Sequence, residues 1–194
     1  IVCGGAVPGV VGGFAGAGRV GMRSFSSWGP ADDGRIKPDV VGNGVDLYSA
    51  SSSNNTAYTA LSGTSMSSPN VTGSLGLLIQ HYRATHGGAD MRAATLKGLV
   101  VHTADECGSA TGPDYSFGWG LVNTAAAANV IALNQTVPGT MQELALVNGD
   151  FIEQTWTYSG SGPIRATICW TDPPGTPLPP SLDPLSPTLV NDVD

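Results

Sequence analysis

Residues 62–82, SGTSMSSPNVTGSLGLLIQHY, run five hydroxyl side chains into a long stretch of small and apolar residues without a break. From Thr64 to about Arg83, apolar residues recur at Val71, Leu75, Leu78, Ile79 and Tyr82, the spacing of one helical face. Gly73, Ser74 and Gly76 keep this helix slim, so that neighbours can approach it, and it is expected to be central and buried. Pro69 falls in the first turns, where a missing N–H costs little. Two readings of the hydroxyl cluster are open. Ser and Thr cap helix N-termini. Alternatively, one hydroxyl is a nucleophile placed where helix N–H groups can meet a developing negative charge.

Strands are expected on both sides of that helix. Val2 to Val7 reads as a short buried strand, followed by the glycine-rich turn PGVVGGFAGAG, and RVGMRSFSSWGP reads as a hairpin. Two short apolar strands lie within ADDGRIKPDVVGNGVDLYSAS, with VVGNGV as a surface turn, and AYTALSG supplies another strand. Asp90 is expected to cap a second helix, MRAATLKGLVVHTA, and Asn123 a third, TAAAANVIAL. Strands that precede long helices predict α/β layers. After about Asn134, QELALV, FIEQTWTYS and IRATICWT alternate apolar and polar residues, as antiparallel strands do. The reading is therefore an α/β unit over residues 1–135 and the beginning of an antiparallel β-sandwich over 136–194, with the boundary near 134–140. The apolar openings and endings, IVCGGAV and LVNDVD, read as cuts through secondary structure, so a fragment is expected.

Charge removes several function classes. A net charge of −7, with Lys37 and Lys97 as the sole lysines, argues against nucleic acid and anionic membranes as partners. No apolar run reaches membrane-spanning length. Cys3, Cys107 and Cys169 have no metal-ligand spacing.

Among the serines, Ser65 lacks the second glycine of a G-x-S-x-G elbow, because residue 67 is Ser, and S-x-x-K fails because residue 68 is Ser. What remains is a serine just inside a helix start, led in by Gly63-Thr64 and followed by Met66 and Pro69. This stretch resembles the G-T-S-M-x-x-P signature of the subtilisin-like serine proteases. SFSSWGPADDGRIKPDVVGNGVDLYSA resembles the segment that leads to that signature, with VVGNGV where the family usually has V-A-P-G-V, and YSFGWGLVNTAAAANVI resembles the family's closing element. ICWTDPPGTP and LVNDVD resemble the start of a β-sandwich domain appended to some members. The resemblance implies that Ser65 is the nucleophile of a serine endopeptidase acting on polypeptide. It further implies that the Ser65 N–H is an oxyanion-hole donor, that the Thr64 hydroxyl supports that hole, and that the protein is secreted.

A nucleophilic serine needs a base within reach. His81 lies sixteen residues along the same helix, roughly 24 Å away, and His86 lies beyond the helix end. His102 sits late in the second helix, and all three read as packing or surface residues. The family's Asp, His and oxyanion Asn belong upstream of its equivalent of Ile1, so a missing N-terminal segment is the expected partner, and these residues alone are expected to be inactive. Asp32, Asp33 and Asp39 read as solvated turn residues. The competing reading is a non-catalytic binding or structural module in which Ser65 only caps a helix. No cofactor is needed for the chemistry. Calcium is a candidate structural ion, with Asp183, Asp192 and Asp194 as conceivable ligands. Asn54, Asn70 and Asn134 each begin an N-x-[ST] pattern.

Overall fold

The structure, a computed structural model, describes residues 3–6, 16–109 and 111–191. Its elements follow in the order β1 (Cys3–Ala6), β2 (Val40–Asn43), β3 (Leu47–Ala50), β4 (Tyr58–Leu61), α1 (Thr64–Thr85), α2 (Ala93–Thr103) and α3 (Thr124–Thr136), with one 3₁₀ turn at Ala17–Arg19. β1 and β2 pair in parallel, Cys3 opposite Val40 and Ala6 opposite Asn43, and α1 lies across them. Parallel strands carry their next helix back over the sheet, which makes this an α/β layer. β3 and β4 form a separate antiparallel hairpin, from Leu47 opposite Leu61 to Ala50 opposite Tyr58.

The apolar face of α1 meets α3 and β2. Val40, Leu78, Leu99, Val100, Ala127 and Ile131 form one core cluster, and Val20, Val41, Cys107 and Leu121 a second on the other side of β2. The FGWG run joins the two. Gly118 (φ 62°) and Gly120 (φ 116°) turn it so that Trp119 N–H donates to Asp39 O at 2.9 Å and Val41 N–H donates to Gly120 O at 3.0 Å. A Cβ at Gly118 would strike the carbonyl of Pro38, and one at Gly120 the carbonyl of Asp105. Glycine is required at both.

Several sequence expectations need correction. Residues 19–30 form no hairpin: Arg23–Ser26 closes a turn, and the Gly29–Pro30 bond is cis. The first four residues of VVGNGV form β2 rather than a surface turn, with Val40 and Val41 fully buried, because β1, α1 and Leu121 surround them. Asp90 does not cap α2. It pairs with Arg83, and α2 begins after the extended Arg92 without a side-chain cap. α1 is buried along one side only: Ser67, Val71 and Leu78 face inward, while Gly73, Gly76 and Leu77 are exposed. A side chain at Gly73 or Gly76 would meet no neighbour among the described residues.

The strands of the expected antiparallel sandwich are not formed either, since residues 137–191 contain no strand among those described. Their apolar side chains, Phe151, Ile152, Trp156, Ile164 and Ile168 among them, are exposed. An alternating strand is stable only against a second sheet or a helix, and no such layer faces these residues. The segment instead runs back along α2. Glu143 accepts from Arg92 N–H at 2.9 Å and from the Thr95 hydroxyl at 2.6 Å. Further on, Thr167 bonds His102 Nδ1 at 2.9 Å and Arg165 donates to His102 O at 3.0 Å. At the far end the Asp172 carboxylate closes the proline-rich loop by accepting from Val190 N–H at 2.6 Å and Asn191 N–H at 3.0 Å.

Candidate functional site

The start of α1 is fastened to the end of β2. Gly63 is the N-cap (φ 156°), and no side chain caps the helix. Gly63 N–H donates to Gly44 O at 2.8 Å. The Ser62 hydroxyl accepts from Asp46 N–H at 2.9 Å and donates to Asp46 Oδ1 at 3.2 Å. Ser67, fully buried one turn in, donates to Gly42 O at 2.9 Å. The partner of Ser67 thus lies in β2 and that of Ser62 in the turn between β2 and the hairpin, rather than in local helix backbone.

Ser65 is different. It stands exposed at the second position of α1, and Thr64 half-buried at the first. Intrahelical bonding begins only after them, with Met66 N–H and Ser67 N–H donating to Gly63 O at 3.0 and 3.2 Å. The N–H groups of Thr64 and Ser65 therefore have no intrahelical acceptor. They sit at the positive end of a 22-residue helix, where an anionic oxygen is stabilised. Ser68 is exposed, and its carbonyl accepts the Thr72 hydroxyl at 2.9 Å.

No described base reaches Ser65. His86 stacks on Tyr82 with ring centroids 3.8 Å apart. Its Nε2 faces the amide nitrogens of Asn134 at 3.2 Å and Gln135 at 2.9 Å, tying α1 to α3. Burial, then the Arg165 charge, holds the His102 imidazole below its ordinary range, and its Nδ1 is engaged by Thr167. His81 lies roughly 24 Å along α1 from Ser65. Asp33 pairs with Arg35 at 2.6 Å. Asp39 is not solvated, as its sequence context suggested. It is buried and holds both lysines of the chain, Lys37 at 2.8 Å and Lys97 at 3.5 Å. Lys97 arrives from α2, a partner invisible to local reading.

A cavity of about 280 Å³ opens farther along α1, between Asn43, Asn70, Ser74, Asp105 and Asn123, and Ser65 does not line it. Among the described residues no group of three or more His, Cys, Asp or Glu side chains converges on a metal position. Asp183 is exposed, while Asp192 and Asp194 lie outside the described residues. Cys107 and Cys169 are free thiols. Among the described residues no helix is long and apolar enough to cross a membrane.

A glycine-led serine at the start of a long helix, laid on parallel strands, places an exposed hydroxyl at the edge of an α/β layer. The chain belongs to the subtilase family, whose profile matches residues 10–120. It is 48% identical over 65 residues to the C5a peptidase of Streptococcus pyogenes, a match covering 34% of this chain and 5% of the relative. It is 26% identical over 200 residues to the Dictyostelium discoideum serine protease/ABC transporter B family protein tagA, covering 88% of this chain and 11% of that protein. The PII-type proteinase of Lactococcus lactis subsp. cremoris is 44% identical over 59 residues, 30% of this chain and 3% of that one. The chain thus spans a small part of each relative. The CspB protease of Clostridium perfringens shares the fold, with a TM-score of 0.53 at 21% identity over 66% of this chain and 26% of its own.

Proposed function

We propose that these residues supply the nucleophile of a serine endopeptidase, Ser65, and that the aspartate, histidine and second oxyanion donor come from polypeptide outside them. One observation carries the reading. Ser62 and Ser67 are committed to structural bonds and no side chain caps α1, whereas Ser65 is exposed beside helix N–H groups that have no intrahelical acceptor. In the reaction Ser65 Oγ adds to the substrate carbonyl carbon while the histidine takes its proton. The Ser65 N–H, with the Thr64 hydroxyl in support, faces the oxyanion. Collapse expels the amine, which takes the proton from the histidine, and water then hydrolyses the acyl-enzyme.

The substrate is polypeptide and the protein is secreted, as its membership of the subtilase family suggests. Residues 136–194 begin a β-sandwich that orders when further strands cover its apolar faces. Calcium, where bound, would stabilise the fold and takes no part in the chemistry.

The test compares Ser65→Ala with Ser68→Ala in the protein that joins these residues to the histidine-bearing segment. Ser65→Ala lowers kcat by about 10⁶-fold, the cost of losing the serine in subtilisin, a member of the same family. Ser68→Ala costs roughly tenfold or less, as loss of a modest hydrogen bond implies. Equal activity of the two variants sinks the assignment. The 194-residue chain alone should give no Ser65 adduct with a fluorophosphonate probe above a heat-denatured control.

A further inference from the structure

The β3–β4 hairpin is held at both ends and bare in between. At its base Ser62 bonds Asp46 and Gly63 N–H bonds Gly44 O. At its tip Ser51 N–H donates to Ala57 O at 2.9 Å, and the Asn54 side chain accepts from Thr56 N–H at 3.0 Å. Of the eight strand residues only Leu47 is half-buried, and the others are exposed. Isolated two-stranded hairpins are marginal in water, so an arm this firmly pinned and this exposed has a use for its surface.

Its two faces differ. Ser49 and Thr59 lie opposite each other on one. On the other, Tyr48 and Tyr58 stack with centroids 5.6 Å apart and 23° between planes, at 74% and 60% exposure. Ala50 and Ala60 flank the rings and leave them uncovered. Stacking fixes both rings in advance, which lowers the entropy cost of receiving a ligand.

We infer that Tyr48 and Tyr58 form a substrate-positioning platform that receives an aromatic or proline side chain of the polypeptide substrate. The inference rests on Ser65 being the nucleophile. Its warrant is continuity, because β4 ends at Leu61, four residues before Ser65, and Ser62 and Gly63 lock that connection. Three strand residues from Leu61 to Tyr58 span about 10 Å, and the four residues on to Ser65 add about 6–13 Å, so the platform lies about 16–23 Å along the chain from the nucleophile. An extended peptide covers that span in roughly five to seven residues. The platform thus reads substrate sequence roughly five to seven residues from the scissile bond.

The experiment uses the active protein and three substrates. Two are long peptides that differ in having Phe or Ala, scanned through the positions five to seven residues on either side of the scissile bond. The third is a short chromogenic peptide that ends before those positions. At one position the wild type prefers Phe by about three- to tenfold in kcat/KM, as an aromatic contact implies. Tyr48→Ala/Tyr58→Ala reduces this to less than about twofold and leaves the short peptide unchanged, whereas Ser49→Ala/Thr59→Ala retains the preference. The platform is overturned if the wild type shows no preference, if the tyrosine variant keeps it, or if that variant slows the short peptide equally. Failure of the Ser65 reading shows separately, as a Ser65→Ala variant that still cleaves the short peptide.

Discussion

Replacing Ser67 by Ala removes a hydroxyl that ties the first turns of α1 to the main chain of β2. Ser67 is fully buried, and its 2.9 Å bond to Gly42 O spans 25 residues of sequence. Truncation leaves that carbonyl without this donor at a site closed to water, and losing one partner of a buried bond costs about 1–3 kcal/mol. Alanine differs by only one oxygen in volume, so the cavity contribution is small and about 1–2 kcal/mol is expected. For a chain of this size that lowers Tm by about 2–8 °C. It lowers the urea midpoint by about 0.5–1 M at unchanged m, read by far-ultraviolet circular dichroism. The exposed Ser65→Ala and Ser68→Ala serve as controls and stay within about 0.5 kcal/mol of the parent. A Ser67→Ala midpoint as close to the parent as those controls would falsify the claim that this bond seats α1 on β2.

The Glu143 clamp is acid-sensitive. Burial raises its carboxyl, but the Thr95 hydroxyl, Arg92 N–H and Arg92 charge outweigh burial and hold it below the ordinary carboxylate range. Its contribution is complete above an unfolded value of about pH 4.3 and is lost as pH falls through the depressed folded value. The protection factor of the Arg92 amide, referred to the intrinsic exchange rate at each pH, should therefore hold at pH 6 and fall in that acid window; equal protection in Glu143→Ala at pH 6 refutes the clamp. His86→Ala should lower stability by about 1–2 kcal/mol, through loss of the Tyr82 stack and the bonds to α3. An unchanged thermal midpoint shows that the ring pins nothing. In a Cys3→Ser background, a thiol reagent at pH 8 should label Cys169 first. Cys107, 1% exposed and with its thiol pushed up by burial, should react only on unfolding. Equal rates for both cysteines contradict its burial.

The long helix, the third helix and the separate hairpin strands were legible because their signals are local. Apolar spacing announced α1, and Asn123 caps α3 through its own side chain, which accepts from Ala126 N–H at 2.8 Å. The place of Ser65 at a helix start was legible as well, since the residues that set it there are its immediate neighbours. The misreadings share a different cause. Asp90 has the composition of a cap, yet Arg83 at the end of α1 takes its carboxylate. Asp39 sits in a polar turn sequence but is buried by residues from α2 and the FGWG run. The surroundings of VVGNGV are set by Val71 and Leu121, far away along the chain. The alternating segments after Asn134 state a strand preference that only a facing layer can satisfy.

The junction at Asp39 has a practical consequence for anyone handling the protein. Lys37 and Lys97 are the chain's whole supply of side-chain amines, and both lean on one buried carboxylate between β2 and α2. Acylating dyes, acylating cross-linkers and ester-activated resins all erase positive charge at that spot. Each added label strips a counter-ion from Asp39, so a lysine-coupled sample is a destabilised one, and labelling stoichiometry doubles as a gauge of how firmly the strand and helix are joined. Attachment through Cys169 leaves that junction alone.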